Sequence, residues 1–268
     1  MAEDFIKYFE ANKEAWNKRT AIHKDSAFYD VPSFMAGATS LQKIEMQELG
    51  DLTGKKVLHL QCHFGLDTLS LVRMGAAVTG VDLSDTAIKY ARELNDELKL
   101  DAGFICCNLY DLPLHLKGDF DIVFTSYGVI GWLPDLDKWA SVVAHFLKPG
   151  GAFHMIEFHP VVWMFDEQFK YIKYSYHNAE TIAVKQTATY ANPDAEIEYD
   201  EFSWNHSLSE VVNALISKGL QIKHLNEFSY SSYNCFANTI KGADGNYTIK
   251  GMEGKIPMTY SIKAVKNL

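Results

Sequence analysis

The stretch Val57-Leu-His-Leu-Gln-Cys-His-Phe-Gly65 is typical of a buried strand that runs into a tight turn. Residues 66–74 follow with the apolar spacing of a helix, and Gly75 supplies a stop signal for that helix. A strand, a turn and a helix in this order direct backbone N–H groups and a helix N-terminus toward one point. We therefore expect the turn at residues 61–65 to face a ligand.

Working outward from this stretch, short β-rich segments alternate with helical ones. The sequence predicts strands at 56–61, 77–81, 104–107, 120–124 and 152–158, and helices at 66–74, 84–98 and 135–147. This alternation requires crossover connections and therefore a mainly parallel sheet. Beyond residue 158 the pattern predicts strands at 170–176, 181–190 and 197–204, a helix at 208–218, and strands at 221–228 and 256–265.

The predicted fold class is α/β, with a doubly wound sheet and two additions. Residues 1–50 show helical apolar spacing and are interpreted as an N-terminal helical cover. Residues 51–268 form the main domain, and a β-rich cap rich in aromatic residues is inserted at about 159–207. These aromatic side chains either line a substrate pocket or form the core of the cap.

Composition narrows the possible functions. The 268 residues include 25 Lys or Arg and 34 Asp or Glu, so the net charge is −9, which argues against nucleic acid as a partner. With 47% hydrophobic residues the chain can build a full core. There is neither a signal-peptide pattern nor an apolar run of ~18 residues, so we expect a cytoplasmic protein without a membrane partner. The spacing of the four cysteines and ten histidines predicts no metal site.

Polar residues follow the predicted strands at the edge where parallel sheets bind ligands. Asp82 ends the second strand and can accept two hydrogen bonds from a ribose diol, while Asn108 can offer its amide to an adenine edge. Thr125-Ser-Tyr-Gly128 ends the fourth strand. Alternatively, Asp82 only caps the next helix and Asn108 only closes an Asx-turn. A dinucleotide is disfavoured, because the turn at 61–65 has a single glycine.

With these motifs in order, the sequence resembles the class I S-adenosylmethionine-dependent methyltransferases. The resemblance is carried by Val57–Gly65, Val81-Asp-Leu-Ser84, Asn108-Leu-Tyr-Asp-Leu-Pro113, Phe120-Asp-Ile-Val123 and Leu147-Lys-Pro-Gly-Gly151. It implies a Rossmann-like, seven-stranded sheet whose last strand is antiparallel, S-adenosylmethionine as cofactor and S-adenosylhomocysteine as product. The expected cofactor-binding residues are Arg19, Gln61, Cys62, His63, Gly65, Asp67, Thr68, Asp82, Leu83, Asn108, Leu109, Tyr110, Ser126 and Tyr127.

The turn departs from the family pattern, which has an acid and glycines where this chain has His59, Gln61 and His63. With these side chains, close approach of the backbone to the cofactor requires unstrained φ angles and side chains turned away, or direct side-chain contacts. The cofactor's amino group also lacks its usual acid. Asp67, Asn17 or a backbone carbonyl are the candidate substitutes.

Proton transfer is needed only if the methyl acceptor arrives protonated. Tyr127 and His159 are the candidate catalytic residues, because both follow strand ends on the expected substrate side. Alternatively, His159 hydrogen-bonds the turn before Pro160. In the leader, Arg19 is expected either to pair with the cofactor's carboxylate or to be an exposed helix charge.

We therefore expect an S-adenosylmethionine-dependent methyltransferase that acts on a small molecule. The alternative is a module of the same fold that binds S-adenosylmethionine or S-adenosylhomocysteine without turnover. A nicotinamide-dependent oxidoreductase is a third, weaker possibility. The sequence leaves the acceptor and the oligomeric state open, because this fold serves many substrates.

Overall fold

A seven-stranded sheet forms the centre of the protein. The computed structural model describes residues 2–267 and the side chains of residues 5–267. The strands are β1 (Lys56–Leu60), β2 (Ala77–Asp82), β3 (Gly103–Cys106), β4 (Phe120–Ser126), β5 (Leu147–Phe158), β6 (Ile182–Gln186), β7 (Tyr199–Ser203), β8 (Leu220–Phe228), β9 (Thr239–Lys241), β10 (Tyr247–Ile249) and β11 (Thr259–Lys266). The helices are α1 (Ala2–His23), α2 (Val31–Met35), α3 (Lys43–Leu49), α4 (Leu66–Arg73), α5 (Asp85–Leu98), α6 (Leu112–His115), α7 (Leu136–Phe146) and α8 (Leu208–Ser217).

The strand order of the central sheet is β3-β2-β1-β4-β5-β11-β8. Strands β1 to β5 pair in parallel, whereas β11 lies antiparallel to both of its neighbours, β5 and β8. The predicted fold class, including an antiparallel last strand, is therefore confirmed. Chain order reverses between β1 and β4, and at such a point the crossovers diverge and leave a crevice beyond the strand ends.

The sheet is buried on both faces, as a parallel sheet requires. On one face α7 and α8 cover the largest apolar cluster, which is centred on Trp139, Phe146 and Phe153. On the other face α3 and α4 cover a cluster that includes Leu71 and Phe124. These packed layers fix the carboxyl ends of β1, β2 and β4 relative to one another.

The leader helix α1 is attached to the hairpin formed by β6 and β7. The side chain of Asn12 donates to the backbone oxygen of Phe202 and accepts from its backbone nitrogen, both at 2.8 Å. The ring of Tyr8 lies 4.5 Å from that of Phe202 and 5.9 Å from that of Trp204. Helix and hairpin therefore form one layer over the carboxyl ends of the strands.

The strand predicted at 170–176 is wrong. The carboxylate of Asp166 accepts hydrogen bonds from the backbone nitrogens of Gln168, Lys170 and Tyr171, the closest at 2.6 Å. These donors would otherwise be available to a strand partner, so the segment forms a compact loop instead. The predicted segments 181–190 and 197–204 shorten to β6 and β7.

The hairpin of β9 and β10 was absent from the sequence prediction, because its strands have only three residues each. It follows β8, and its register pairs Tyr247 with Lys241. Within residues 2–267 we find no helix with both the length and the apolarity needed to cross a membrane.

Candidate functional site

A cavity of about 610 Å³ lies beyond the carboxyl ends of β1, β2 and β4. Its volume is in the range typical of small-molecule sites. Of the residues predicted to bind the cofactor, those that line the cavity are Arg19, Gln61, Cys62, His63, Gly65, Asp67, Asp82, Leu83, Asn108, Leu109, Ser126 and Tyr127. Thr68, Tyr110 and His159 do not line it. Helix α1 and strand β7 close the cavity from above.

Asp82 at the end of β2 is held by the backbone on either side of it. One carboxylate oxygen accepts from the nitrogen of His63 and the other from the nitrogen of Ser84, both at 2.8 Å. Burial raises the pKa of Asp82 to about 6, although these N–H groups favour the charged form. Each oxygen can accept a further hydrogen bond from a ligand. The side chain thus organises the turn and faces the cavity.

The turn keeps a glycine-type backbone at positions that are not glycine. Gln61 has φ 54° and His63 has φ 50°, so of the two alternatives considered for this turn the one with unstrained φ angles is excluded. Such left-handed angles cost a non-glycine residue about 1–2 kcal/mol. Two observations explain why residue 65 is glycine. Its φ is 82°, and a Cβ at this position would lie 2.8 Å from the ring of Phe104. The backbone shape of the turn is therefore preserved at an energetic cost.

Contacts with the leader hold the side chain of His63. Its ring lies 5.1 Å from that of Trp16, 5.3 Å from that of His23 and 5.4 Å from that of Tyr29. Its Nε2 is 3.3 Å from the hydroxyl of Thr20. Burial lowers the pKa of His63 well below its usual value, so the imidazole is neutral at pH 7. These contacts couple the turn to the leader and offset the backbone strain.

We expect His63→Gly to be more stable than His63→Ala by about 1 kcal/mol, because both lose the imidazole but only alanine keeps a Cβ at positive φ. Urea unfolding of the matched pair measures the difference. Lys89, on the exposed side of α5, is the control position. There the alanine variant should be more stable than the glycine variant, because alanine is favoured over glycine in a helix interior. Equal stability of the two His63 variants would show that the turn carries no strain.

Gln61 spans the crevice between β1 and β4. Its side-chain nitrogen donates to the backbone oxygen of Val129 at 2.8 Å, and its Oε1 is buried without a partner among the described residues. His59 lies two residues earlier, on β1, and its Nδ1 is 2.8 Å from the hydroxyl of Thr68. Burial lowers the pKa of His59 to about 3, so this ring is neutral. Thr68 therefore orients His59 rather than facing the cavity.

On the side of β2 and β3 the cavity is suited to a nucleoside. Asn108 accepts a hydrogen bond from the nitrogen of Tyr110 at 3.0 Å, which closes the Asx-turn considered above. Its amide nitrogen has no partner in the part of the chain that the structure describes and remains available. The hydroxyl of Tyr110 donates to the backbone oxygen of Asp135 at 2.9 Å, so Tyr110 is structural. Leu83, Leu109 and Cys62 supply apolar walls.

Arg19 is buried and already paired. It forms a salt bridge with Glu201, its Nε donates to the hydroxyl of Tyr199 at 2.8 Å, and its guanidinium lies 4.8 Å from the ring of Trp16. Burial opposes the charge, but Glu201 favours it, and the pKa of Arg19 is raised. The expectation of an exposed helix charge is wrong. Asn17 is also engaged, because its side chain accepts from Ser84 and donates to Asp85.

Two carboxyl groups lie on the side of β4: Asp67 lines the cavity, and Glu45 is buried and does not line it. Asp67 accepts from the hydroxyls of Ser40 at 2.6 Å and Ser126 at 3.1 Å. The hydroxyl of Tyr127 donates to Glu45 at 3.2 Å. Burial raises the pKa of Tyr127 well above its usual value, so its hydroxyl is neutral and acts as a donor.

His159 has two structural partners. Its Nε2 is 2.9 Å from a carboxylate oxygen of Glu227, and its Nδ1 accepts from the nitrogen of Val161 at 3.2 Å. Both ring nitrogens are therefore occupied, and the residue does not line the cavity. The alternative, in which His159 braces the turn around Pro160, agrees with this geometry.

Glu45 and Glu157 are not among the site residues that the sequence predicts. Glu157 at the end of β5 accepts hydrogen bonds from the backbone nitrogens of Gly128, Val129, Ile130 and Phe158. It thereby holds the turn after β4 against the cavity. A charged residue inside an otherwise apolar strand was the available signal for Glu157.

Comparison with known proteins finds relatives for part of the chain. Residues 57–151 match the family model described as a methyltransferase domain. An uncharacterized methyltransferase from Synechocystis is 33% identical over 133 residues, which are 49% of this chain and 60% of the relative. Demethylmenaquinone methyltransferase from Lactococcus lactis is 34% identical over 130 residues, 47% of this chain and 51% of the relative. The chain thus spans about half the length of the curated relatives it matches.

Among solved structures, an S-adenosylmethionine-dependent methyltransferase from Clostridium acetobutylicum has a TM-score of 0.58 at 15% identity, covering 95% of this chain and 100% of that one. At this identity the likeness concerns the fold. Residues 57–151 are thus similar to a methyltransferase domain, and the chain shares its fold with an S-adenosylmethionine-dependent methyltransferase of known structure.

Proposed function

We propose that this protein is an enzyme that transfers a methyl group from S-adenosylmethionine to a small-molecule acceptor. The observation that carries the proposal is Asp82, whose carboxylate is held by two backbone N–H groups at the strand end beside the turn. The lone pairs that remain fit a ribose diol. The relatives named above, one of which is described as a demethylmenaquinone methyltransferase, support a small-molecule acceptor.

The described residues fit the proposed cofactor. Asp82 would hold the ribose, Asn108 and Leu109 would border the adenine, and the N-terminus of α4 would face the methionine part. S-adenosylmethionine supplies an activated methyl group, so the protein contributes mainly binding, orientation and exclusion of water. Trp16 and Arg19 from the leader cover the cavity, which favours a small acceptor over a macromolecule.

Of the two candidate catalytic residues, we retain Tyr127, because it lines the cavity. Its neutral hydroxyl would orient an acceptor through a hydrogen bond rather than remove a proton directly. We assign no catalytic role to His159, because it braces a turn outside the cavity.

We expect Asp82→Asn to weaken the binding of S-adenosylhomocysteine at pH 7.5 by at least about tenfold, because charge-assisted hydrogen bonds contribute about 1.5–3 kcal/mol. The carboxylate is the form that accepts from both ribose hydroxyls. With a pKa of about 6, it is mostly protonated at pH 5, so wild-type affinity should fall about tenfold between pH 7 and pH 5. The variant should lose this pH dependence. Calorimetric titration measures both effects.

Asp85→Asn is the matched control, because Asp85 lies three residues further on, exposed and outside the cavity. It should bind like the wild type. If Asp82→Asn also binds like the wild type, the ribose contact is wrong. Transfer of a radiolabelled methyl group to an acceptor separates the enzyme from a module that binds the cofactor without turnover.

A further inference from the structure

The cavity is rich in acidic groups and poor in basic ones. Its acidic lining residues are Asp30, Asp67, Asp82, Glu157 and Glu201, and among the described lining residues Arg19 is the one Lys or Arg. Four of these acids are accounted for: Glu201 pairs with Arg19, Glu157 and Asp82 accept backbone N–H groups, and Asp30 is exposed. Asp67 is the exception.

Asp67 lies deep in the protein and is partly accessible from the cavity. Its carboxylate accepts hydrogen bonds from two neutral hydroxyls, those of Ser40 and Ser126. Within residues 5–267 no Lys, Arg or His side chain forms a salt bridge with it. Burial raises its pKa, because removal from water disfavours the charge. Burying a carboxylate without a neighbouring cation costs folding free energy, so buried carboxylates are normally paired with a cation.

A second carboxyl group, Glu45, lies behind the first. It has 0% exposure, and its Oε1 has no hydrogen-bond partner among the described residues. Burial and the charge of Asp67 raise its pKa to about 7. The titratable groups that face it are Asp67 on α4, Tyr127 after β4, and Tyr230 and Tyr233 after β8. None of these is a cation, so the two carboxyl groups share an uncompensated negative potential.

Three tyrosine rings belong to the lining of the cavity. Tyr29, Tyr127 and Tyr233 all line it, and the rings of Tyr127 and Tyr233 lie 4.9 Å apart. Burial is the main cause of the raised pKa of Tyr29 and of Tyr233, and the charge of Asp67 adds to it in both cases. Aromatic rings attract cations. The unpartnered Oε1 of Gln61, a lining residue, adds an independent acceptor without a donor.

We propose that Asp67, Tyr29, Tyr127 and Tyr233 form a subsite for a positively charged nitrogen of a ligand, with Glu45 as a second anion behind it. This inference rests on the proposed function. In that setting the nitrogen belongs either to the amino group of the cofactor or to an amine acceptor. The chemistry is the same in both cases: a cation supplies the charge that the protein lacks, and its N–H groups donate to carboxylate oxygens.

The first experiment compares S-adenosylhomocysteine with its analogue that lacks the amino group. If the nitrogen is that of the cofactor, wild-type protein should prefer S-adenosylhomocysteine by at least tenfold, and Asp67→Asn should abolish this preference. Asp30→Asn is the control, because Asp30 also lines the cavity but is exposed. If the nitrogen belongs to the acceptor, Asp67→Asn should leave both affinities unchanged. It should then weaken the binding of benzylammonium to protein saturated with S-adenosylhomocysteine at least tenfold, with benzyl alcohol unaffected.

The second experiment measures the number of protons that the protein releases when the ligand binds. At pH 7 Glu45 is about half protonated, and a cation bound beside Asp67 lowers its pKa, so binding should release up to about half a proton. Calorimetry in buffers of different ionisation enthalpy measures this number. Glu45→Gln should lose the release and keep its fold, because the amide retains an acceptor for Tyr127.

The outcomes separate this inference from the proposed function. If wild-type protein binds no S-adenosylhomocysteine, the proposed function fails. If it binds S-adenosylhomocysteine, but Asp67→Asn alters neither the preference for the amino group nor the affinity for benzylammonium, the subsite is refuted while the function stands. If Glu45→Gln releases as many protons on binding as the wild type, Glu45 is not part of the subsite.

Discussion

Glu157→Ala is expected to destabilise the protein by about 3–5 kcal/mol. The carboxylate accepts from the backbone nitrogens of Val129 at 2.8 Å, Ile130 at 3.3 Å and Phe158 at 2.6 Å, and also from Gly128. A buried donor that loses its acceptor costs about 1–3 kcal/mol, and here several are affected together. The turn after β4 carries Tyr127, so cofactor affinity should fall as well. Urea unfolding and calorimetry measure the two effects.

Glu227→Ala is the matched control for this substitution. Glu227 also lies near the end of a strand of the central sheet and binds a side chain, that of His159, but 52% of its own side chain is exposed. A pair exposed on one side contributes about 0–1 kcal/mol, so this variant should be almost as stable as the wild type. A loss below 1 kcal/mol for Glu157→Ala would mean that water from the cavity replaces the carboxylate.

The sheet could be predicted from the sequence because its signals are local. Each strand from β1 to β5 is a short apolar run next to a helix with clear start and stop residues, and Gly65 and Gly75 mark two of those boundaries. The position of the polar residues on the side of β2 and β3 could be predicted for the same reason. Asp82 and Asn108 directly follow strands, and parallel strands bring such residues to one edge.

The side of the cavity near β4 was less predictable, because its groups come from distant parts of the chain. Glu45 illustrates this point. Residues 1–50 have the apolar spacing of amphipathic helices, and Glu45 shares the apolar face of one of them. Glu45 and Leu49 lie four residues apart on α3 and both are buried, whereas Met46 on the same helix is 41% exposed. The helical period alone therefore places Glu45 inside, and this signal was available in the sequence.

The cap was the least predictable region, since its shape depends on contacts that periodicity does not reveal. Asp166 engages two backbone donors, those of Lys170 and Tyr171, at the start of the segment predicted as a strand, and β7 is held by Asn12 from the opposite end of the chain. The role of Arg19 was missed in the same way. Its partner Glu201 is 182 positions away, and nothing local to either residue indicates the pairing.

Arg19→Met is expected to destabilise the protein by about 3–5 kcal/mol, because it leaves the charge of Glu201 without its cation. The side chains of Arg19 and Glu201 are 7% and 12% exposed, so water cannot easily replace either partner. Lys18→Met is the matched control. Lys18 is the neighbouring residue, its side chain is 41% exposed, and its salt bridge with Glu14 is an ordinary helix-surface pair worth about 0.3–0.5 kcal/mol.

The double variant Arg19→Met with Glu201→Met separates charge from packing. If the cost of each single variant is mainly an unpaired buried charge, the double variant should be more stable than the sum of the single effects predicts, by several kcal/mol. Additive losses in urea unfolding would instead assign the cost to lost contacts with Trp16 and Tyr199. Because the pair fastens α1 to β7 above the cavity, each single variant should also bind S-adenosylhomocysteine more weakly. The double variant should recover part of that affinity. It has no unpaired buried charge, and α1 can pack over the cavity without the charges of Arg19 and Glu201.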